Sequence, residues 1–423
     1  MGLSKEINGD FALEKRKSTD NVEYESSAKK IKIENLIGKN KEGFSANSEV
    51  LENNQTDGRE NGQDHSDSDE VASGGEEREY DAKGESSSES NGVVKDKDIH
   101  QEKSSPISPV GRGNHNKPVY LQVEEFILRM QESLCKVLSD FDGKKYSYDR
   151  WVREGHGYGI TRVLQGGSVI EKSCVNVSVM EGSLKLSTPL HEIRHKSLGN
   201  KDYRYRLAGL TIVIHPTNPF APSTHANYRY FEMFDAENRD AEPIAYWYGG
   251  GADLTPSYVI DEDVVFFHAI HKSVCDKYDP RYYHTFKKKC DEYFYLPNRG
   301  ECRGVGGIFF DDLDNKPAAE LFEFIRDLSR AFLSSYMPIL HRRMNTPYTA
   351  KNKEWQLIRR GRSAEFNLCF DRGTKFGITN SVRAESILSS IPLNCIFFYN
   401  YKPKKGSLEA LSQEIFRNPR QWV

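Results

Sequence analysis

Two histidines ten residues apart, His215 and His225, open the stretch of this 423-residue chain in which hydrogen-bonding chemistry is densest. HPTNPFAPSTHANYRYFEMF runs on into YWYGGGADLTP a few residues later. In Asn227-Tyr228-Arg229, the alternation of a strand turns Asn227 and Arg229 to one face. A guanidinium fork beside an amide suits a carboxylate, because the fork can hold both oxygens. A surface salt bridge is the plainer use of a lone Arg, less favoured here because apolar residues surround it. The run Gly249-Gly250-Gly251 lets backbone lie against something large. Asp253, beside Leu254-Thr255-Pro256, is expected to be displayed at such a turn, where it accepts N–H donors from a ligand or acts as a base. An Asp that only caps the turn is the alternative.

Other patterns promise less. His191-Glu192-Ile193-Arg194-His195 matches H-E-x-x-H, which binds zinc only when a helix puts both histidines on one face. Pro189 precedes it, charged residues flank it and Gly199 follows within a turn, so a polar surface segment is the better reading and a metalloprotease the lesser one. Gly155, Gly157 and Gly159, and again Gly304, Gly306 and Gly307, complete no phosphate-loop or dinucleotide fingerprint. They mark places where backbone turns tightly or approaches a flat ligand. The seven cysteines are odd in number and none form C-x-x-C, so reduced, mostly buried thiols are expected rather than disulfides or a zinc ribbon.

Elements must position these groups. Phe126, Met130, Leu134, Leu138 and Phe141 recur at helical spacing, and Asp142-Gly143 marks the end of that helix. Strand-like runs follow at Val175–Met180, Leu210–Ile214, Tyr228–Phe234 and Ile244–Tyr248. Helices are expected over Asp261–Tyr278, Phe286–Tyr295 and Ala318–Met344, a short buried strand at Ile308–Phe310, and two more strands near Phe366–Phe370 and Ile396–Tyr401. Strands come first and helices later with few β-α-β alternations, which predicts an α+β fold with a largely antiparallel sheet.

Residues 1–116 read as a disordered acidic and polar tail, and 117–423 as one folded domain. From Ser66 to His100 acids outnumber bases eleven to four and Tyr80 is the only aromatic, too little apolar surface to offset the entropy of ordering. Ser66 and Ser68 form an acidic-directed phosphosite pattern. Lys15-Arg16-Lys17 and Lys29-Lys30-Ile31-Lys32 resemble a bipartite nuclear import signal, with chance in a charged tail as the alternative. The first twenty residues carry Glu6, Asp10 and Glu14 and no apolar core, unlike a secretory or mitochondrial leader, and Glu6 spoils a myristoylation pattern after Gly2. A net charge of −3 gives no case for nucleic acid, and no run of about 18 apolar residues is present for a membrane span. The expected location is cytoplasmic, or nuclear through the basic clusters.

The stretch from His215 to Pro256 resembles the oxygen-dependent coproporphyrinogen III oxidase family. So do KKKCDEYFYLPNRGECRGVGGIFFDDLD at Lys287–Asp314, RRGRSAEFNLCFDRGTKFGI at Arg359–Ile378, RAESILSSIPL at Arg383–Leu393 and the closing PRQWV. Several long motifs in order, over Val119–Val423, leave chance no serious part.

The resemblance implies a large flat antiparallel sheet covered by helices on both faces, usually in a homodimer. It implies a tetrapyrrole substrate on which two propionates are oxidatively decarboxylated to vinyls, giving protoporphyrinogen IX, with O2 as co-substrate reduced to peroxide and no metal or organic cofactor. In those terms His225 matches the proton donor or acceptor, Arg229 and Arg383 (with Arg372 as a third candidate) the propionate-binding arginines, and Asp253 a carboxylate near the pyrrole N–H groups. Thr211, Asn227-Tyr228-Arg229 and Ser381-Val382-Arg383 fall at substrate-contact positions. The chain departs from the family pattern in four places. Thr211 replaces a Ser, His156 and Tyr158 interrupt a glycine run, Cys174 replaces a Gly, and Asn298 stands where bacterial-type members have a His. Without a His there, a set completed by His215, His225 and His268 loses one member, and a metal reading weakens. These changes leave His225, Arg229 and Asp253 intact but could narrow the pocket or lower activity, and a weakened paralogue that binds porphyrin as a sensor or carrier is the alternative function.

Overall fold

The apolar period that starts the folded region forms a helix, α1 (Val119–Asp142). Gly143 ends it in the left-handed conformation, φ 84°, with its N–H donated to the Ser139 carbonyl, the role only glycine fills without strain. The structure, a computed structural model, describes residues 117–184, 202–237, 242–379 and 383–423. Residues 1–116 with both basic clusters, the HEIRH motif, and Ser381 and Val382 lie outside the described residues.

Six strands follow in sequence: β1 (Ser147–Arg153), β2 (Gly157–Gln165), β3 (Ile170–Leu184), β4 (Tyr203–Pro216), β5 (Ser223–Asp235) and β6 (Ala245–Thr255). Two helices, α2 (Asp261–Tyr278) and α3 (Tyr282–Tyr293), lead to a two-stranded hairpin of β7 (Tyr295–Leu296) and β8 (Glu301–Cys302), and then to β9 (Gly307–Leu313). The long α4 (Ala318–Arg343), α5 (Ala350–Cys369), the short α6 (Arg372–Thr379) and α7 (Ala384–Leu388), and α8 (Leu408–Arg417) complete the order. The sheet runs β1-β2-β3-β4-β5-β6-β9, every neighbour antiparallel. The α+β architecture read from the sequence, with helices on both faces of one antiparallel sheet, is the one found.

Strand alternation divides the sheet into two unlike faces. Val175, Val177, Leu210, Ile212, Tyr228, Tyr230, Ala252 and Phe310 are buried in the main core with α1, α2 and α4. Their neighbours in sequence, Asn176, Thr211, Asn227, Arg229 and Asp253, point the other way, toward α5, α6 and α7. Gln131 of α1 reaches into the apolar layer and donates to the carbonyls of Ile160 and Val175, so the polar group is not left unpaired.

Two expected strands are something else. Phe366–Phe370 is the end of α5, where Ile358, Arg362 and Phe366 share a face at four-residue spacing; tertiary packing overrides the β-like composition of a short aromatic run. Ile396–Tyr401 pairs with no strand, and Ile396 donates its N–H to the Leu357 carbonyl of α5. The hairpin β1–β2 was not foreseen. Its glycines serve the tight turn, with Gly155 at φ 68° and Gly157 at φ 114°, and Gly159 lies under the Trp151 ring, where a Cβ would be 2.1 Å from a ring carbon.

Candidate active site

The register of the central strands assembles the polar face. Thr211 of β4 sits opposite Asn227 of β5, and His225 of β5 opposite Asp253 of β6. Asn227 donates its amide N–H to the Thr211 hydroxyl at 2.7 Å, and Arg229 donates one Nη to the Asn227 side-chain carbonyl at 2.7 Å. The other Nη of Arg229 reaches Asp311 of β9 at 2.9 Å, crossing β6 over Gly249. A Cβ on Gly249 would come within 2.7 Å of the guanidinium, so the absence of a side chain is what lets Arg229 lie flat. Gly251, at φ 153°, has the Ile308 carbonyl 2.0 Å from where its Cβ would be; no other residue fits between β6 and β9 there.

The same row continues outward. Thr211 pairs with Asn176, Asn176 with Thr161 and Thr161 with Asp149. Thr161 donates to Asn176 at 2.9 Å and lies 3.0 Å from the Ser386 hydroxyl of α7. Arg383, at the head of α7, is ion-paired with Asp149. Four strand spacings separate Asp149 from Asn227, roughly 19 Å, so Arg229 and Arg383 stand at opposite ends of one polar floor.

Asp253 is not displayed to a ligand as expected. It is 3% exposed, and both carboxylate oxygens are engaged: Oδ2 with His225 Nδ1 at 2.7 Å, Oδ1 with an Nη of Arg303 at 2.6 Å. The Thr224 hydroxyl donates to its main-chain carbonyl. Burial alone would raise the pKa of the carboxyl; the Arg303 guanidinium and the His225 imidazole reverse this and hold it below its ordinary value. The partly exposed group of the pair is His225, flanked edge-on by the Phe294 ring at 6.0 Å. With Nδ1 committed to Asp253, the ring nitrogen left for other partners is Nε2.

The remaining expected residues are placed as follows. Tyr228 alternates onto the apolar face, 1% exposed, with its hydroxyl near the Leu328 carbonyl of α4 at 3.3 Å; its side chain is a core group and only its main chain belongs to the site row. Arg372 of α6 lies over the Tyr293 ring at 4.9 Å and shares Asp311 with Arg229, at 3.4 Å. His215 turns to Ser223 and to the Ser390 carbonyl, His268 bonds Tyr283 within the helical layer, and neither joins His225. Cys174 is buried against Ser389.

Arg303 and Asp311 were missed. Arg303 is 6% exposed, with its guanidinium 4.0 Å from the Phe294 ring and 5.2 Å from Phe366. No spacing rule links it to a carboxylate fifty residues earlier in the chain; only the ECRGVGG motif hinted that the segment mattered. Asp311 reaches Arg229 because β9 is irregular opposite Gly249 and Asp312 takes a φ of 61°.

Residues 122–422 match the family model described as coproporphyrinogen III oxidase. The oxygen-dependent coproporphyrinogen-III oxidase of Rattus norvegicus, named mitochondrial, is 44% identical over 326 residues, 76% of this chain and 73% of the relative. The chloroplastic one of Glycine max is 42% identical over 320 residues, 74% of this chain and 82% of the relative. That of Francisella philomiragia is 41% identical over 310 residues, 71% of this chain and 98% of the relative.

Proposed function

Because the chain belongs to the coproporphyrinogen III oxidase family, we propose that the polar face of its sheet is the floor on which coproporphyrinogen III is oxidatively decarboxylated, in haem biosynthesis. Each reacting propionate side chain loses a hydride equivalent from its β-carbon to O2, and a proton completes the peroxide. The carboxylate C–C bond then breaks, its electron pair forms the vinyl, and CO2 leaves. O2 is the one co-substrate in this reading, and no metal or organic cofactor takes part.

The observation that carries the residue assignment is the polar face shared by Thr211 of β4 and His225, Asn227 and Arg229 of β5, with Asp253 of β6 bonded to His225. Arg229 and Arg383 receive propionates at the two ends of the floor, Arg372 assists beside Arg229, and Thr211 and Asn227 hold Arg229 in place. Ser381 and Val382 complete the substrate contacts ahead of Arg383. His225, the partly exposed member of its pair, takes and returns a proton through Nε2. Asp253 acts through His225. The glycine-lined floor suits a wide ring better than a small metabolite.

A homodimer belongs to the same reading, supported by apolar surface at Val152, Phe397 and Tyr399; light scattering on the purified protein tests it. So does a cytoplasmic location, with nuclear entry through Lys15–Lys17 and Lys29–Lys32. Among the described residues no helix is long and apolar enough to cross a membrane. The rat and soybean relatives bear mitochondrial and chloroplastic names, and microscopy of a fluorescent fusion distinguishes these compartments.

The deciding assay incubates the purified chain with coproporphyrinogen III under air and separates the porphyrins by HPLC. Protoporphyrinogen formation that stops when O2 is removed is expected. Porphyrin binding without turnover would make the chain a sensor or carrier instead.

A further inference from the structure

We propose that Arg303 is a positioning residue for the reaction: a buried counter-ion that fixes Asp253 as an oriented carboxylate and, through it, holds His225 with its Nδ1–H on Asp253 and its Nε2 toward the substrate. The inference rests on the assignment of His225 as the proton-carrying group.

The argument is geometric. Asp253 offers two oxygens to two partners, Arg303 at 2.6 Å and His225 at 2.7 Å. A carboxylate held on one side by a fixed guanidinium cannot rotate without losing that bond, so its second oxygen has a set direction. Arg303 itself cannot move far. Phe294 and Phe366 both lie against its guanidinium, Asn367 of α5 accepts from its other Nη at 3.4 Å, and the segment carrying it is tied down where the Arg303 N–H bonds the Phe294 carbonyl and the Val305 N–H bonds Leu254. The other charged or nucleophilic groups around the pair are Cys290 and Asp291 of α3 and Cys302 of β8, which line a small cavity with Asp253 and Arg303. Of these, Asp291 is ion-paired with Lys287, and Asp253 is ion-paired with Arg303. Phe294 touches both Arg303 and His225 and walls the three groups into one unit.

An arginine suits this place for two reasons. It stays charged in any protein environment, so it cannot take up the proton that His225 must move. It also presents several N–H donors in a rigid plane, which can sit between aromatic rings while still bonding the carboxylate. A buried carboxylate stripped of such a partner draws a proton or pulls its neighbour into the ionic role. Either change alters which nitrogen of His225 carries hydrogen, and a wrong tautomer is known to be costly for a histidine that acts as a base.

The test uses the full-length protein labelled with 15N-histidine. The His225 resonances are assigned by difference against His225→Gln, and the tautomer is read from the two ring-nitrogen shifts at a pH where the ring is neutral. In the unsubstituted protein, hydrogen on Nδ1 and a bare Nε2 are expected. Arg303→Gln should lose that preference and lose about 10²-fold or more in kcat, with KM changed less than about threefold because no substrate contact is removed. Arg303→Lys, which keeps the charge, should retain the Nδ1–H form and recover much of kcat. Hydrogen on Nε2 in the unsubstituted protein would overturn the proposal even if Arg303→Gln does not fold. A folded Arg303→Gln with unchanged tautomer and kcat would overturn it as well. The spectra need no substrate, so an absence of turnover would count against the proposed function while leaving this inference to be judged by the tautomer.

Discussion

At the scale of single residues, the two groups that matter most differ in what they touch. Arg229 is partly exposed and bound to Asn227 and Asp311; a propionate reaching it finds further N–H donors on the same fork. In the proposed role it holds a propionate in ground and transition state alike, so Arg229→Ala should raise KM more than it lowers kcat. Asp253 touches no ligand directly, yet Asp253→Asn replaces an acceptor of two bonds by an amide that cannot satisfy both Arg303 and His225. The expected outcome is a folded protein whose kcat falls on the order of 10²–10⁴-fold, as in other enzymes where an Asp orients a catalytic His. Steady-state kinetics on both variants, with circular dichroism for folding, checks the pair. Equal turnover by folded Asp253→Asn would leave Asp253 a structural carboxylate of β6 with no part in the reaction. Tyr228→Phe is the control from the opposite face. It loses one long hydrogen bond, about 1 kcal/mol of stability at most, and should leave KM unchanged.

At the scale of elements, the site depends on strands approaching each other without side chains between them. Gly249 is the clearest case, because its missing Cβ makes the path by which Arg229 crosses β6. A methyl there meets the far end of a flexible side chain rather than backbone, so Gly249→Ala should fold almost as well as the parent. The guanidinium must move aside, and displacement of a binding group by about 1 Å can cost up to roughly 10²-fold. We expect Gly249→Ala to raise KM by tenfold or more with a Tm within a few degrees of the parent; an unchanged KM would show that Arg229 does not need its flat pose. Gly251 behaves differently. Its Cβ would strike the Ile308 carbonyl, so Gly251→Ala should separate β6 from β9 and lower Tm.

At the scale of the whole molecule, several histidines are buried as neutral groups away from the reacting pair. Burial pushes His215 down to about 3, with Arg360 adding to the shift, and His271 to about 4; burial and Lys287 hold His268 well below its ordinary value. In the unfolded chain each takes a proton near pH 6.5. Between about pH 6.5 and 4 the unfolded state therefore binds more protons than the folded state, and stability must fall as pH falls through that window. Tm measured by calorimetry should be highest above pH 7 and drop steadily toward pH 5, and His271→Gln should flatten the slope; a level profile would contradict the burial of these rings. The tail poses a separate question. The Francisella relative is matched over 98% of its length by 310 residues, and the family match begins at residue 122. A chain starting at Lys117 should therefore turn over substrate at the full-length rate. Insoluble or slow protein would make the tail part of the catalytic unit.

The sequence alone determined the fold class, the C-terminal end of α1, the span of α2, and the face shared by Asn227 and Arg229, because these follow from period, a terminal glycine and acids in a first turn within a few residues. Long ordered motifs carried the family. What it could not determine was partnership across distance. Alternation says that Tyr228 opposes its neighbours, but not which face is the core. The helical period of Arg359–Cys369 was hidden by a β-like aromatic run, and its role became visible only once Phe366 lay against Phe294 and Arg303. The bond from Arg303 to Asp253 spans fifty residues, and that from Arg229 to Asp311 eighty-two. No local rule fixes such pairs, because strand register, a bulge in β9 and a glycine between strands set them. Only the tertiary structure buried the carboxylate of Asp253 between Arg303 and His225 and left His225 the partly exposed member of the pair.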